Sequence, residues 1–249
     1  MGLATLVLAD ARFPGGGHVH SGGLEEAVAR GLVSDVPSLE TFLLGRLRTS
    51  GVVAAGFAAA AAVPDATAVS PTSDNHPLTR PSPLVSGDGR YSDHRHSQEW
   101  WAELDAELDA RTPSTAQREA SRAQGRGTLR AVRAAWPSPV LDELVAVNPR
   151  PHHPLLVGAV CGIAGEPPEE AARCVAYLAV SGPASAAVRL LGLDPFAVNA
   201  VLVRLGPVLD AVVEKAVTDH LPAPSAPVLD LMAQAHVHHH RERVRLFVS

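Results

Sequence analysis

Apolar residues fill positions 3–9 with no readable period, a pattern that fits a strand or a short helix, and Phe13-Pro14-Gly15-Gly16-Gly17 breaks it. Ser21 then stands where a helix cap belongs. Glu25 and Glu26 fall at the positive end of a helix over about 22–30, and Gly31 is placed to stop it. A second helix opens at Asp35-Val36-Pro37, with Leu39, Phe42, Leu43 and Leu47 at the spacing of one buried face. Beyond Thr49-Ser50-Gly51, the run to Val63 is apolar on every side, which predicts a central buried helix. Ser97 caps a helix carrying Trp100, Trp101, Leu104 and Leu108, and Pro113 opens another that reaches Trp136 and ends at Pro137. From Leu155 onward helix follows helix, over about 155–165, 171–181, 184–191, 195–204 and 207–220, with a last one starting near Pro227. Residues 64–95 are different: rich in Pro, Ser, Asp and Gly and without a sustained period, they read as a mobile insertion. No alternating strand series and no fixed repeat is visible. The pattern predicts an all-α fold, one globular helical domain over 1–249 with a disordered insertion at 64–95.

Composition strengthens that picture. Hydrophobic residues make up 46% of the chain but aromatic ones only 4%, so the core must be filled by Ala, Val and Leu, a helix-leaning set. A formal net charge of -5, with both signs interspersed, argues against a general nucleic-acid binder. Lys215 is the single lysine and sits in an ordinary helical pattern, while Cys161 and Cys174 lie among alanines and valines as buried thiols would. Residues 1–9 lack the basic start and long apolar run of a secretory signal, and 51–63 falls short of the roughly 20 residues of a spanning helix. A soluble cytoplasmic protein without a membrane partner is the expectation.

The glycine-rich opening invites three chemical readings. A phosphate loop needs Lys followed by Ser or Thr at the helix start, and His20-Ser21 stands there instead. The dinucleotide fingerprint fails because its third glycine position is His20, and a nucleophile elbow fails because Val19 occupies the glycine position before Ser21. Metal binding is harder to dismiss. His18 and His20 form a His-x-His pair, as do His94 and His96, and His236 and His238, the last followed by His239 and His240. A metal-dependent hydrolase built on such pairs is the rival reading, although it needs several strands delivering ligands to one face. A nickel-storing role for His236, His238, His239 and His240 is a third. Two features suggest docking surfaces instead. Arg118, Arg122, Arg126 and Arg130 recur every four residues beside a small-residue side of Ala116, Ala120, Ala123 and Gly127. Near the C-terminus, Arg245, Leu246 and Phe247 belong to an alternating tail whose apolar members are costly to leave exposed.

The stretch "LADARFPGGGHVHSGGLEEAVARGLV" resembles the N-terminal signature of the UreF family of urease accessory proteins, with its Leu-Ala-Asp, Pro-Gly turn and Ser-x-Gly-Leu-Glu. "AQREASRAQGRGTLR", "YLAVSGPASAAVRLLGLDP" and "RERVRLFVS" agree with it in order and spacing. The resemblance implies an all-α, non-catalytic scaffold with no resident cofactor. Such a scaffold dimerises, binds UreD (UreH in some organisms) and recruits the GTPase UreG, so that nickel in transit reaches apo-urease. Carried over by position, the family's partner-binding motif residues fall on Ser21, Gly23, Leu24 and Glu25, on Arg189, and on Arg245, Leu246 and Phe247. The arginine helix and the tail are expected to face UreD or the dimer partner, and the turn around Ser21 the UreG side. His18-Val19-His20 departs from the aromatic-Ser-Tyr run of many members.

Overall fold

The chain's alanine-rich helix lies between two apolar cores, and the rest of the molecule is arranged around it. The computed structural model describes residues 2–15, 20–62, 98–218 and 221–223. Among them are eleven α-helices and no strand: α1 (Leu3–Ala9), α2 (Leu24–Ala29), α3 (Val36–Arg46), α4 (Val52–Ala61), α5 (Gln98–Ala110), α6 (Thr115–Ala135), α7 (Pro139–Val147), α8 (His153–Ile163), α9 (Pro168–Leu191), α10 (Pro195–Arg204) and α11 (Gly206–Ala216). The all-α expectation holds for these residues. The proposed insertion at 64–95, Ser97 and the helix expected near Pro227 lie outside them.

α4 turns Val53, Phe57, Ala58 and Ala61 toward one core, shared with α1, α5, α6, α7, α8 and the first half of α9. Its Ala55 and Ala59 face the other, built from α2, α3, α10, α11 and a face of α9 that runs from Ala172 to Ala187. With so few aromatic residues, packing depends on close helix approach. A Cβ on Gly158 of α8 would lie 2.3 Å from the Ala58 carbonyl oxygen of α4, so these backbones nearly touch. α9 is long and apolar enough to cross a membrane, yet it packs along α4, α8 and α11 at the centre of the bundle.

Several local features differ from the sequence expectation. α2 begins at Leu24 rather than Gly22, because Gly22 (φ +61°) and Gly23 (φ +88°) turn the chain through the left-handed region first. Ser21 is fully buried, and its Oγ accepts from the Glu25 amide only at 3.5 Å, so it supports the turn rather than capping conventionally. Thr49-Ser50-Gly51 does not break the chain: a π turn over Leu47–Gly51 joins α3 to α4, with the Thr49 hydroxyl donating to the Gly45 carbonyl at 2.8 Å. α9 runs straight through Pro183. Proline has no N–H for the carbonyl of Ala179, and Arg46 supplies the donor instead, with Nε 3.0 Å from that oxygen. Finally, α7 is a helix beyond those expected from the sequence above. Ser138 caps it at the Val140 amide, Pro139 sits in its first turn, and Val140, Leu141 and Leu144 are its buried side.

The carboxylate of Glu166, from the turn before α9, accepts from the Ala4 amide at 2.7 Å and from the amide and hydroxyl of Thr5. An acid from a distant segment thus caps α1, whose own Gly2 offers no side chain.

Candidate functional site

The opening turn and the arginine helix, far apart in the sequence, meet in the structure. A Cβ on Gly127 of α6 would lie 2.8 Å from the Gly15 carbonyl, and one on Gly125 would lie 2.0 Å from the Pro151 carbonyl. At Gly127 the small-residue side of α6 therefore does admit close backbone, the chain's own turn at Gly15, while Gly125 on the opposite face meets the segment entering α8.

The arginines of α6 part company. Arg122 points inward and is nearly buried. Its guanidinium donates to both carboxylate oxygens of Asp105 at 2.9 Å, to Asp109 at 2.9 Å and to the Arg150 carbonyl at 3.1 Å. Asn148 adds a bond to Asp105. Burial alone would lower the Arg122 pKa, but the two carboxylates outweigh it and hold the group above its ordinary value. Arg118 is half-buried and bonds the carbonyls of Thr112 and Pro113, while Arg126 and Arg130 are exposed. Among the described residues, only the latter two present free guanidinium faces along the stripe.

His152, which no sequence motif marks, joins this network. It is fully buried, with Nε2 2.8 Å from Asp109 and Nδ1 3.0 Å from the Ser121 hydroxyl. An ionised Asp109 accepts only, so Nε2 carries the proton and Nδ1 accepts from Ser121. Burial, then the charge of Arg122, lowers the His152 pKa despite the Asp109 bond. Its neighbour His153 is pushed down to about 4, chiefly by burial and then by His20.

Both histidines are neutral when folded and have folded pKa values below the unfolded value of about 6.5, so the unfolded chain takes up protons first as pH falls. Their contribution is present above pH 6.5 and is lost as pH falls from there toward about 4, by up to about 3 kcal/mol for His153. Urea unfolding measured at pH 7 and at pH 4.5 is expected to show this decline, and His153→Gln to flatten it. An unchanged slope in that variant would contradict the assignment.

The family-motif residues have distinct places. Ser21, Gly23 and Leu24 are buried, so they shape the turn, and Glu25 is the partly exposed member. Arg189 lines a cavity with His20 and His153. His18, His236, His238, His239, His240, Arg245, Leu246 and Phe247 lie outside the described residues. Among the described residues no three His, Cys, Asp or Glu side chains converge as a metal site, and the strand framework of a barrel hydrolase is missing. Cys161 and Cys174 are free and buried. Burial pushes the Cys161 thiol up to about 12 and Cys174 higher still, which makes both poor nucleophiles. On the surface, Phe196 and Val203 stand out on α10 at 86% and 72% exposure, seven residues apart and thus on one face.

Known proteins share this sequence over nearly its whole length. Residues 33–206 match the family model described as UreF. A urease accessory protein UreF of Mycolicibacterium vanbaalenii is 42% identical over 241 residues, covering 96% of each chain. Another, of Mycobacterium bovis (strain BCG / Pasteur), is 40% identical over 245 residues, covering 98% of this chain and 97% of its own. A third, of Mycobacterium sp. (strain JLS), is 41% identical over 236 residues, covering 94% of each.

Proposed function

The chain belongs to the UreF family of urease accessory proteins, and from that premise we propose that it is a non-catalytic adaptor for nickel insertion. In this reading it bridges UreD (UreH) and the GTPase UreG in the cytoplasm while nickel, as cargo, passes to apo-urease. The observation that carries the reading is similarity sustained over nearly the whole chain to proteins named urease accessory protein UreF.

Several surfaces suit the role. The outward apolar face of α10, with Phe196 and Val203, is of the kind a homodimer buries. Arg126 and Arg130 offer exposed guanidinium groups for a partner's carboxylates or carbonyls, and we assign them, with the tail residues Arg245, Leu246 and Phe247, to UreD or the dimer partner. Ser21, Gly23 and Leu24 act from inside by fixing the turn that presents Glu25 on the UreG side.

Co-purification tests the proposal. Tagged UreD is expected to retain this protein, and UreG to be retained only when this protein is present. Failure of both to associate with the purified chain would sink the adaptor reading.

A further inference from the structure

One side chain both repairs the proline gap in α9 and grips the opening turn. Arg46, the last residue of α3 before the π turn, is half-buried, and no carboxylate pairs with it among the described residues. Its bonds end on main-chain carbonyls of two other segments. Nε donates to Ala179 at 3.0 Å, the carbonyl that Pro183 leaves unpaired, and Nη1 donates to Gly22. The grip on the turn is close: a Cβ on Gly22 would lie 2.9 Å from both Cζ and Nη2 of Arg46. α9 also passes against the turn, since a Cβ on Gly182 would lie 3.7 Å from the His20 carbonyl oxygen.

The turn needs such a hold. Ser21 and Leu24 are buried on either side, but Gly22 and Gly23 between them are both left-handed glycines, with no side chains to fix their peptides. α2 starts at Leu24, so the setting of the Gly22 peptide decides the direction in which α2 leaves the turn, and with it the place of Glu25.

We propose that Arg46 is the positioning residue for UreG recognition, fixing the Gly22 peptide against α9 so that α2 presents Glu25 to the GTPase. The inference rests on the adaptor reading and adds to it a residue from a different helix.

Two substitutions separate this role from plain support of the fold. The amide nitrogen of glutamine stands where Nε of arginine does along the side chain. Arg46→Gln therefore keeps a donor for Ala179 and loses the reach to Gly22, whose partly exposed carbonyl can turn to water. Arg46→Lys extends one bond further and places an ammonium within reach of both carbonyls.

The experiment is co-purification of the full chain with UreG on tagged UreD, joined to amide hydrogen exchange of the chain alone. Arg46→Gln is expected to be retained on UreD as the parent is, while its retention of UreG falls about fivefold or more. Its α2 amides should exchange about tenfold faster, and those of α9 at the parent rate. Arg46→Lys should recover most of the UreG retention. Undiminished UreG retention by Arg46→Gln would overturn the proposal, as would a loss that Arg46→Lys does not reverse. Loss of UreD together with UreG would also overturn it, because the residue would then serve the fold alone. A parent chain that retains neither partner would instead sink the adaptor reading, before any substitution is compared.

Discussion

Arg122→Ala is expected to destabilise the protein by about 3–5 kcal/mol, more than any other substitution proposed for this chain. The cause is the pair of carboxylates it leaves behind. Asp105 is only 15% exposed and loses a two-point ion pair, while Asp109 loses one of its bonds and keeps His152. Removing one member of a buried pair strands the other, which is worse than never having built the pair. The comparison that isolates this is a double change. Arg122→Met with Asp105→Leu removes both charges and should recover a substantial part of the loss. Arg122→Lys should be intermediate, since an ammonium keeps the charge but not the planar fork. Equilibrium unfolding in urea at pH 7 measures all three. If Arg122→Ala unfolds at the parent's midpoint, the network does not tie α5, α6 and the start of α8 as described.

Gly158→Ala is expected to be the next most damaging. Alanine is worth about 1 kcal/mol over glycine within a helix, so propensity alone predicts a gain. Packing opposes it. The new Cβ would sit 2.3 Å from the Ala58 carbonyl oxygen and 2.7 Å from the Ala61 Cβ, and neither belongs to a side chain that can swing away. α4 and α8 would have to separate, loosening the larger core along its length. Overpacking of this kind costs about 3 kcal/mol, so the clash wins and a net loss of about 2 kcal/mol remains. Gly45 in α3 is the control, because a Cβ there meets nothing within 4 Å. Gly45→Ala should therefore raise the melting temperature while Gly158→Ala lowers it. Equal responses from the two glycines would show that helix approach is looser than these distances state.

Much of this architecture is legible in the sequence, and the reasons for the exceptions are physical. Periodicity locates the buried faces of α3 and α5, and Asp35-Val36-Pro37 marks a helix start that the structure realises as a capping box with Ser38. Local signals overstate the breaks. Pro183 and Thr49-Ser50-Gly51 both look like interruptions, yet a distant arginine satisfies the first and a π turn absorbs the second. The arginine that answers Pro183 lies in another helix, so no short window of sequence contains both. The same holds for Glu166, which caps a helix more than 160 positions away. The arginine stripe is visible as a regular spacing, but which arginine turns inward depends on Asp105 and Asp109, one helix earlier. Their own four-residue spacing, matching Arg118 and Arg122, is the available sign of a facing pair of helices. His152 and His153 give no such sign, since their environment comes from Asp109, Ser121 and His20 after folding.

Whether this chain serves urease maturation as an adaptor is tested most directly by urease activity in a host carrying urease and the other accessory genes, with this gene deleted and then restored. Apo-urease is expected to accumulate without activity in the deletion strain at ordinary nickel, and restoring the gene to return activity. Full urease activity in the deletion strain, at the same nickel concentration, would contradict the adaptor role.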